Sequence, residues 1–182
     1  MMDNVCSVLV RPAGLQDLEN LVLGNAALAW ETEQRRLDYS RLRLGVLALL
    51  QDHQQKGWYF VAETSSSSAV PVVVGQLLVT FEWSDWRNGN FWWLQSVYVQ
   101  PAYRRKGVFR QLYGYVMNEA RARQETVCGF RLYVEKENVD AHRSYDRLGF
   151  HRAPYWMYEY EFSDHTIPSR SQDLSGRPIK GS

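Results

Sequence analysis

The stretch QSVYVQPAYRRKGVFR, residues 95–110, is the most informative about the fold because it joins a strand, a turn and a helix without interruption. Its first residues close the aromatic and β-branched segment Phe91–Val99, which is typical of a strand, and Pro101 ends that strand. Its last residues open the segment Gly107–Arg123, in which apolar residues recur on one helical stripe. The stretch therefore predicts a buried strand that turns directly into an amphipathic helix.

The turn inside this stretch, Tyr103–Arg110, has the features of an anion-binding site. N–H groups at the start of a helix have no partner within the helix, and the helix dipole favours negative charge there. Gly107 lets a phosphate approach the backbone closely, and neighbouring Arg and Lys side chains attract it. A pyrophosphate fits these features, but an ordinary turn with a solvated basic surface explains them equally well. The glycine spacing matches neither the Rossmann nor the P-loop pattern.

Hydrophobic periodicity on both sides of this stretch predicts the element order β, α, α, β, β, β, α, β, α, β. Three consecutive strands predict an antiparallel portion, and the strand–helix–strand unit at Gly107–Arg123 predicts a parallel pair. The predicted fold class is thus α/β, with an α+β-type mixed sheet and helices on both faces. The predicted bounds are Val5–Arg11, Asp17–Trp30, Leu42–Leu50, Trp58–Glu63, Val72–Glu82, Phe91–Val99, Gly107–Arg123, Phe130–Val134, Asn138–Leu148 and Tyr155–Phe162.

Composition narrows the class of protein. The 182 residues suffice for one domain, and 45% hydrophobic with 23% charged residues is ordinary for a soluble globular chain. A net charge of +1 supplies no bulk attraction for nucleic acid or an anionic membrane, so neither is predicted as a partner. Cys6, Cys128 and the scattered histidines lack metal-ligand spacing, so no metal site is predicted. We expect a cytoplasmic protein, since no signal peptide or run of about 20 apolar residues is visible.

Two segments near the end of the chain bear on its organisation. Residues 163–182 are polar and without periodicity, so we predict a flexible tail after a single domain over residues 1–162. The predicted final strand, Tyr155–Phe162, is strongly aromatic. That aromatic character favours a homodimer, because exposed apolar strands are commonly covered by a partner.

A second motif lies in the stretch VEKENVDAHRSYDRLGF, residues 134–150. It resembles the signature Asn-x-x-Ala-x-x-x-Tyr-x-x-x-Gly-Phe of the GNAT superfamily of N-acetyltransferases, and all five marked positions agree. The first stretch is similar to that superfamily's acetyl-CoA motif, Arg/Gln-x-x-Gly-x-Gly/Ala. Arg104 and Gly107 occupy its first two positions, whereas Phe109 replaces the usual small residue at the last. Two motifs in the right order are specific, and the resemblance covers about Val5–Phe162.

A finer resemblance concerns the aromatic hairpin. Residues 82–89 followed by 92–99 look like a bacterial GNAT subgroup to which no firm substrate attaches.

The resemblance implies the GNAT fold, whose sheet splays between strands 4 and 5, and acetyl-CoA as the cosubstrate. It also implies a bulge near Val97–Val99, where free backbone groups hold the pantetheine arm like an added strand and polarise the thioester carbonyl. The basic turn then holds the pyrophosphate. The implied cofactor-binding residues are Val97, Tyr98, Val99, Arg104, Arg105, Lys106, Gly107, Val108, Phe109, Arg110, Asn138, Ala141 and Tyr145.

Tyr145 is the predicted catalytic residue. Asn138, Ala141 and Tyr145 fall at spacings of three and four, so they share one helix face. A phenol with a pKa of about 10 is protonated at neutral pH, and the resemblance implies that it protonates the departing CoA thiolate. Without the motif, Asn138 fits a helix cap and Tyr145 fits a core aromatic residue with a satisfied hydroxyl.

The general base has no assigned residue. Many GNAT enzymes place a glutamate on the strand before the pyrophosphate turn, but here that position is Gln95, which cannot take a proton. The base must then come from elsewhere in the chain or act through a water molecule. No base is needed if the amine is already partly neutral. Glu31, Glu33 and Glu82 are the candidates, and each also fits an ordinary solvated carboxylate.

The acceptor is predicted from two acidic segments. The break Glu31–Asp38 between the first two helices lines the acceptor site in this family, and the turn Glu82–Trp86 adds carboxylates among tryptophans. Carboxylates and aromatic faces suit a cationic amine, although the tryptophans equally fit packing of the sheet or a dimer interface. We therefore expect a small primary amine or polyamine-like acceptor. The predicted substrate-binding residues are Glu31, Glu33, Glu82 and Asp85.

Two alternatives stay open. A peptide or protein amine is a possible acceptor in place of a small molecule. A non-catalytic acyl-CoA-binding module is favoured by Gln95 and Phe109, the two departures from the family pattern.

Overall fold

A five-stranded mixed sheet forms the centre of the protein in a computed structural model, which describes residues 6–64 and 71–160. The strands lie in the order β1-β2-β3-β4-β5; neighbours are antiparallel up to β4, and β5 runs parallel to β4. The predicted mixed, mostly antiparallel sheet is confirmed. The strands are β1 (Val8–Pro12), β2 (Trp58–Thr64), β3 (Val73–Ser84), β4 (Gly89–Val99) and β5 (Val127–Leu132).

Helices cover both faces of this sheet, as predicted. They are α1 (Leu18–Glu33), α2 (Tyr39–Gln51), the single turn α3 (His53–Lys56) and α4 (Val108–Arg121). A further helix, α5 (Val139–Arg147), follows β5 in the chain. Leu21 of α1 and residues of α2 share one buried cluster with Val61 and Leu78 of the sheet. Successive strand residues point to opposite faces, and Phe60 accordingly packs its ring 5.5 Å from that of Tyr115 on α4.

An ion-pair cluster fixes the start of α1. The Arg11 guanidinium on β1 donates two hydrogen bonds to the Asp17 carboxylate, at 2.7 and 2.9 Å, and a third at 2.8 Å to Glu63 on β2. The Gly14 amide also donates to Asp17, at 2.8 Å. Burial acts to raise the pKa of Asp17, but the hydrogen bonds from Arg11 and Gly14 outweigh it and lower that pKa below its ordinary value.

The hairpin between β3 and β4 follows the predicted Asn-Gly signal. Ser84 pairs with Gly89, and the intervening residues form a short 3₁₀ turn over Asp85–Arg87. Asn88 closes the turn with a φ of 47°, a left-handed conformation that asparagine tolerates well. The turn chemistry therefore fixes the register of the two longest strands.

Two predicted boundaries and one predicted strand are wrong. Helix α1 continues to Glu33, so Glu31 lies on a helix rather than in the break that follows it. Strand β5 ends at Leu132 and so leaves Tyr133 and Val134 outside the sheet. The described part of the predicted final strand, Tyr155–Tyr160, forms no strand. Aromatic alternation favours a strand, but a strand forms only where a neighbour accepts its hydrogen bonds.

The described chain divides into two compact units, with the division between Val139 and Asp140. The first contains the sheet and α1–α4, and the second contains most of α5. The predicted single domain over residues 1–162 stays a prediction. The predicted tail, 163–182, lies outside the described residues, as does the serine run of the loop between β2 and β3.

Candidate active site

A β-bulge in β4 sets the geometry at the end of that strand. Leu78 pairs with Gln95 and Gln76 pairs with Tyr98, so β4 has one residue more than β3 across this interval. Ser96 in the bulge has a φ of 45°. Because strand side chains alternate between faces, the extra residue places Tyr98 on the same face of the sheet as Gln95. The bulge implied by the family resemblance is present, and it turns Tyr98 toward α1.

The bulge rests on a buried polar contact. The Tyr59 hydroxyl accepts a hydrogen bond from the Asn25 side-chain amide of α1 at 2.9 Å. A second side-chain hydrogen bond joins the same hydroxyl to Ser96, and burial raises the pKa of Tyr59. This contact links α1, β2 and the bulge, and so fixes where the end of β4 lies.

Strands β4 and β5 separate immediately before the bulge. Their parallel pairing ends at Leu94 opposite Leu132, whereas β4 continues to Val99 on β3 alone. Among the described residues, the outer edge of residues 95–99 therefore has no strand partner. The predicted splay between strands 4 and 5 is confirmed. An unpaired strand edge is the surface on which an extended amide-bearing chain can add as a further strand.

The basic turn follows this unpaired edge and leads into α4. Arg105 and Gly107 both have left-handed backbone, with φ values of 60° and 77°, and α4 begins at Val108. The first-turn N–H groups of α4 point toward the turn, as at any helix start. The side chains of Arg105, Lys106 and Arg110 are exposed. The turn thus combines free N–H groups, a helix dipole and cations, which is the chemistry a pyrophosphate requires.

Gln111 ties the N-terminal segment to this turn, a contact that sequence reasoning missed. Its side-chain amide donates to the Cys6 carbonyl at 2.8 Å, and the Cys6 amide donates to the Lys106 carbonyl at 3.0 Å. The sequence signal for this contact was the position of Gln111 one turn into α4, because a polar side chain there can reach the segment before the helix. The contact stiffens the turn from the side of β1.

Arg104 makes contacts that sequence reasoning did not predict. Its Nε donates to the Val99 carbonyl at 2.8 Å, and its Nη2 donates to the Glu31 carboxylate at 2.5 Å. The Tyr98 hydroxyl donates to the same carboxylate at 3.2 Å. Burial, followed by the charge of Glu31, raises the pKa of Tyr98. A residue from the predicted acceptor group therefore meets two residues from the predicted cofactor group.

Val108 and Phe109 serve the turn through their backbone. The Val108 side chain is buried in the core, where it packs against β3 at Gly75. The Phe109 ring lies 6.3 Å from that of Tyr113 on the next turn of α4. The α4 helix begins at Val108 although Phe109 replaces the usual small residue of the motif.

In the second unit, α5 carries the rest of the second motif. Ala141 and Tyr145 lie one helical turn apart on α5, which begins directly after Asn138, as the motif predicts. Gly149 stops the helix with a φ of 87°, and the Phe150 amide donates to the Tyr145 carbonyl at 3.1 Å. The Tyr145 and Phe150 rings are 5.6 Å apart. Burial raises the pKa of the Tyr145 phenol to about 12.

The other predicted acceptor carboxylates have separate partners. Glu33 lies 3.8 Å from the Arg35 guanidinium, and Asp38 accepts the Arg41 amide as the N-cap of α2. Asp85 accepts the Trp86 amide at 2.8 Å within the hairpin turn. These carboxylates are spread over α1, α2 and the β3–β4 hairpin, and the described contacts do not bring them into one cluster.

Glu82 belongs to a cluster on the sheet face. It accepts a hydrogen bond from the Trp93 indole at 2.5 Å and another from Arg131 of β5. The Arg131 guanidinium also lies 3.9 Å from the centre of the Phe91 ring. Sequence reasoning missed Arg131, although its position opposite Trp93 in the parallel pair puts it beside Glu82. Its charge offsets that of Glu82.

Gln95, at the position of the usual family glutamate, donates its side-chain amide to the Thr80 hydroxyl at 2.9 Å. It shares the sheet face of Glu82 and offers no proton acceptor of carboxylate strength.

The described chain also contains no helix long and apolar enough to cross a membrane.

Comparisons with known proteins agree on one family. A family model for the acetyltransferase (GNAT) family matches residues 17–150. The crystal structure of a possible acetyltransferase from Clostridium difficile 630 is 46% identical, with a TM-score of 0.76, and the match covers 85% of this chain and 97% of that chain. A comparison with curated proteins found no match.

More distant structures share the fold alone. A predicted acetyltransferase with acetyl-CoA from Clostridium acetobutylicum is 18% identical, with a TM-score of 0.68, over 85% of this chain and 96% of that chain. Aminoglycoside N-acetyltransferase AAC(6')-Iy in complex with CoA is 15% identical, with a TM-score of 0.64, over 85% of this chain and 95% of that chain. The family match spans the bulge, the basic turn and the second motif, and the chain therefore belongs to the acetyltransferase (GNAT) family.

Proposed function

We propose that the protein is an N-acetyltransferase that moves the acetyl group of acetyl-CoA to a primary amine, with a small cationic amine as the acceptor. The amine attacks the thioester directly in a ternary complex, and Tyr145 is the general acid. Membership of the GNAT family supports the acyl transfer. Two structures of the same fold, one with acetyl-CoA and one with CoA, support the choice of cosubstrate.

The observation that carries the proposal is the continuous path from the unpaired end of β4 into the basic turn. Residues 95–99 present backbone groups along an edge, and α4 begins a few residues later at Val108. Amide groups of a pantetheine arm match the first feature, and a pyrophosphate matches the second. One ligand with both parts, in that order, is an acyl-CoA.

Acetyl-CoA supplies the activated acetyl thioester, and the groups of this chain bind and orient it. The edge of residues 95–99 would hold the amides, while a free N–H there would polarise the thioester carbonyl. The first-turn N–H groups of α4, with Arg105 and Lys106, would hold the pyrophosphate.

Tyr145 suits the role of proton donor. Since burial raises its pKa to about 12, the phenol stays protonated through the neutral range. The protonated form is lost only as pH rises toward that value. Tyr145 should therefore impose no alkaline limit on kcat below about pH 10, because less than a tenth of the phenol ionises two units below its pKa.

The end of α1 supports a cationic acceptor. Glu31 and Glu33 carry two carboxylates there, and Glu31 contacts residues of the cofactor turn. Each of these carboxylates faces an arginine that offsets part of its charge, as Arg131 does for Glu82: Arg104 faces Glu31 and Arg35 faces Glu33. Gln95 supplies no base, so we propose either that water takes the proton from the amine or that no base is needed because part of the amine is neutral before attack.

The experiment measures release of free thiol from acetyl-CoA with a panel of amines: 1,4-diaminobutane, spermidine and a short peptide with a free N-terminus. We expect release with the small amines. Tyr145→Phe should lower kcat about 100-fold, the lower end of general-acid effects, while CoA affinity changes less than about twofold. Tyr158→Phe is the control, because it removes the hydroxyl of an exposed tyrosine in the same unit.

Each other outcome has a definite meaning. CoA binding without thiol release from any amine would support the non-catalytic acyl-CoA-binding module. Release with the peptide alone would replace the small amine by a peptide acceptor. Full activity of Tyr145→Phe would remove Tyr145 from the mechanism.

A further inference from the structure

Glu31 and Arg104 form an ion pair that joins the end of α1 to the start of the basic turn. The Arg104 Nη2 lies 2.5 Å from the Glu31 carboxylate, and both side chains are partly exposed, at 43% and 35%. The same guanidinium holds the Val99 carbonyl and lies 5.5 Å from the centre of the Tyr98 ring. Arg104 therefore uses its donors to join the end of β4 to the end of α1.

These contacts compete with an acyl-CoA for the same groups. Val99 ends the unpaired edge of β4, so its carbonyl is among those available to a pantetheine amide. A pyrophosphate carries more charge than a carboxylate and binds guanidinium groups in the same forked geometry. A pyrophosphate at the turn would thus draw Arg104 from Glu31, and the Glu31 carboxylate would lose its cation.

We infer that the Glu31–Arg104 pair is a latch that couples the two substrates: pyrophosphate takes Arg104, and the freed Glu31 carboxylate then binds the ammonium group of the acceptor. The inference rests on the proposed function, since it requires an acyl-CoA at the turn. Glu31 sets the order of binding in this scheme. It offers an uncompensated negative charge to a cation only once the acyl donor is in place.

The coupling is reciprocal and modest. An exposed ion pair of this kind changes an equilibrium about two- to fivefold, so removing Glu31 should tighten CoA binding by about that factor. The acceptor must likewise bind more tightly in the presence of CoA than in its absence, by the same factor. A carboxylate that merely orients Arg104 toward the pyrophosphate would have the opposite effect on CoA affinity when removed.

The test is a double-mutant cycle on CoA affinity, measured by calorimetry with CoA itself. The variants are Glu31→Gln, Arg104→Gln and the pair of substitutions together. We expect Glu31→Gln to tighten CoA binding about two- to fivefold, and to have no measurable effect in the Arg104→Gln background. If Arg104→Gln binds too weakly for calorimetry, the CoA dependence of the unfolding temperature gives the same comparison at millimolar ligand.

Glu19→Gln is the matched control. Glu19 is on the same helix and is also paired with an arginine, Arg43, at 2.7 Å. It lies twelve residues from Glu31, roughly 18 Å along α1, which exceeds the screening length of about 8 Å at physiological salt. Its substitution should leave CoA affinity unchanged.

The remaining outcomes overturn the inference. If Glu31→Gln tightens CoA binding equally in the wild-type and Arg104→Gln backgrounds, Glu31 acts only through its electrostatic field. Unchanged or weaker CoA binding in Glu31→Gln would mean that no competition exists. Failure of the wild-type protein to bind CoA would refute the proposed cofactor site as well, so the two failures are distinguishable.

Discussion

Gly75→Ala tests whether α4 is held at its observed distance from the sheet. A Cβ at Gly75 would lie 3.1 Å from Val108 Cγ1 and 3.2 Å from Leu112 Cδ1, closer than ordinary van der Waals contact. Val108 is the first residue of α4, so these two side chains, or the start of the helix that carries Val108, must give by a few tenths of an ångström to relieve the overlap. One methyl group thus links core packing to the candidate cofactor site.

The magnitude follows from two opposing effects. Overpacking of a close-packed core costs about 1–3 kcal/mol. Replacing a strand glycine by alanine recovers about 0.5–1 kcal/mol of backbone entropy. The free energy of unfolding should therefore fall, by up to about 2.5 kcal/mol. For a chain of this size, at about 2–4 °C per kcal/mol, that corresponds to a loss of up to about 10 °C in Tm.

Gly114→Ala is the control, because it adds the same methyl group on α4 itself. A Cβ there meets nothing within 4 Å, so the substitution should raise stability by up to about 1 kcal/mol through helix propensity. The assay is thermal unfolding together with calorimetric titration of CoA. Gly75→Ala should also weaken CoA binding several-fold, whereas Gly114→Ala should not. A Gly75→Ala protein as stable as Gly114→Ala would refute the packing argument.

Two further substitutions probe the turn and the start of α1. Gly107→Ala forces a left-handed backbone on alanine. We expect a loss of about 1 kcal/mol in stability, measured by denaturant unfolding, and at least tenfold weaker CoA binding, measured by calorimetry. Unchanged CoA affinity would contradict the phosphate-binding role of the turn. Asp17→Asn leaves the guanidinium of Arg11 without its main partner and should cost about 2–3 kcal/mol at neutral pH. Because folding lowers the pKa of Asp17, its contribution is present above the ordinary value of about 4 and is lost as pH falls through the lower folded value. The stability difference between wild type and Asp17→Asn should therefore shrink in acid, and a difference that is constant from pH 7 to pH 3 would contradict the assigned ion pair.

Local sequence patterns predicted the element order from the first strand to α5, apart from the single turn α3. These patterns need only residues that are neighbours in the chain. The stripe of α4 and the Asn-Gly turn at residues 88–89 are examples, since their periodicity and turn chemistry need no distant partner. The segment Tyr155–Tyr160 shows the limit of such patterns. Its aromatic residues favour a strand, but the hydrogen bonds of a strand come from elsewhere in the chain.

The candidate site divides in the same way. Gly107 and the start of α4 were predicted because a basic turn before a helix has a local signature. The contacts of Glu31 with Arg104 and of Glu82 with Arg131 were not predicted, because each joins residues on different elements. The length of α1 also escaped prediction, and it moves Glu31 from a loop onto a helix.

Residue type and spacing were sufficient to predict the family, the strand–turn–helix of residues 95–110 and the second motif on α5, because these features can be recognised without knowledge of the fold. The direction in which the end of β4 faces became known from the three-dimensional structure. A single extra residue at Ser96 reverses the alternation of side chains after it, because the period of a strand is two. That reversal brings Tyr98 to Glu31, and thereby joins the end of β4 to α1.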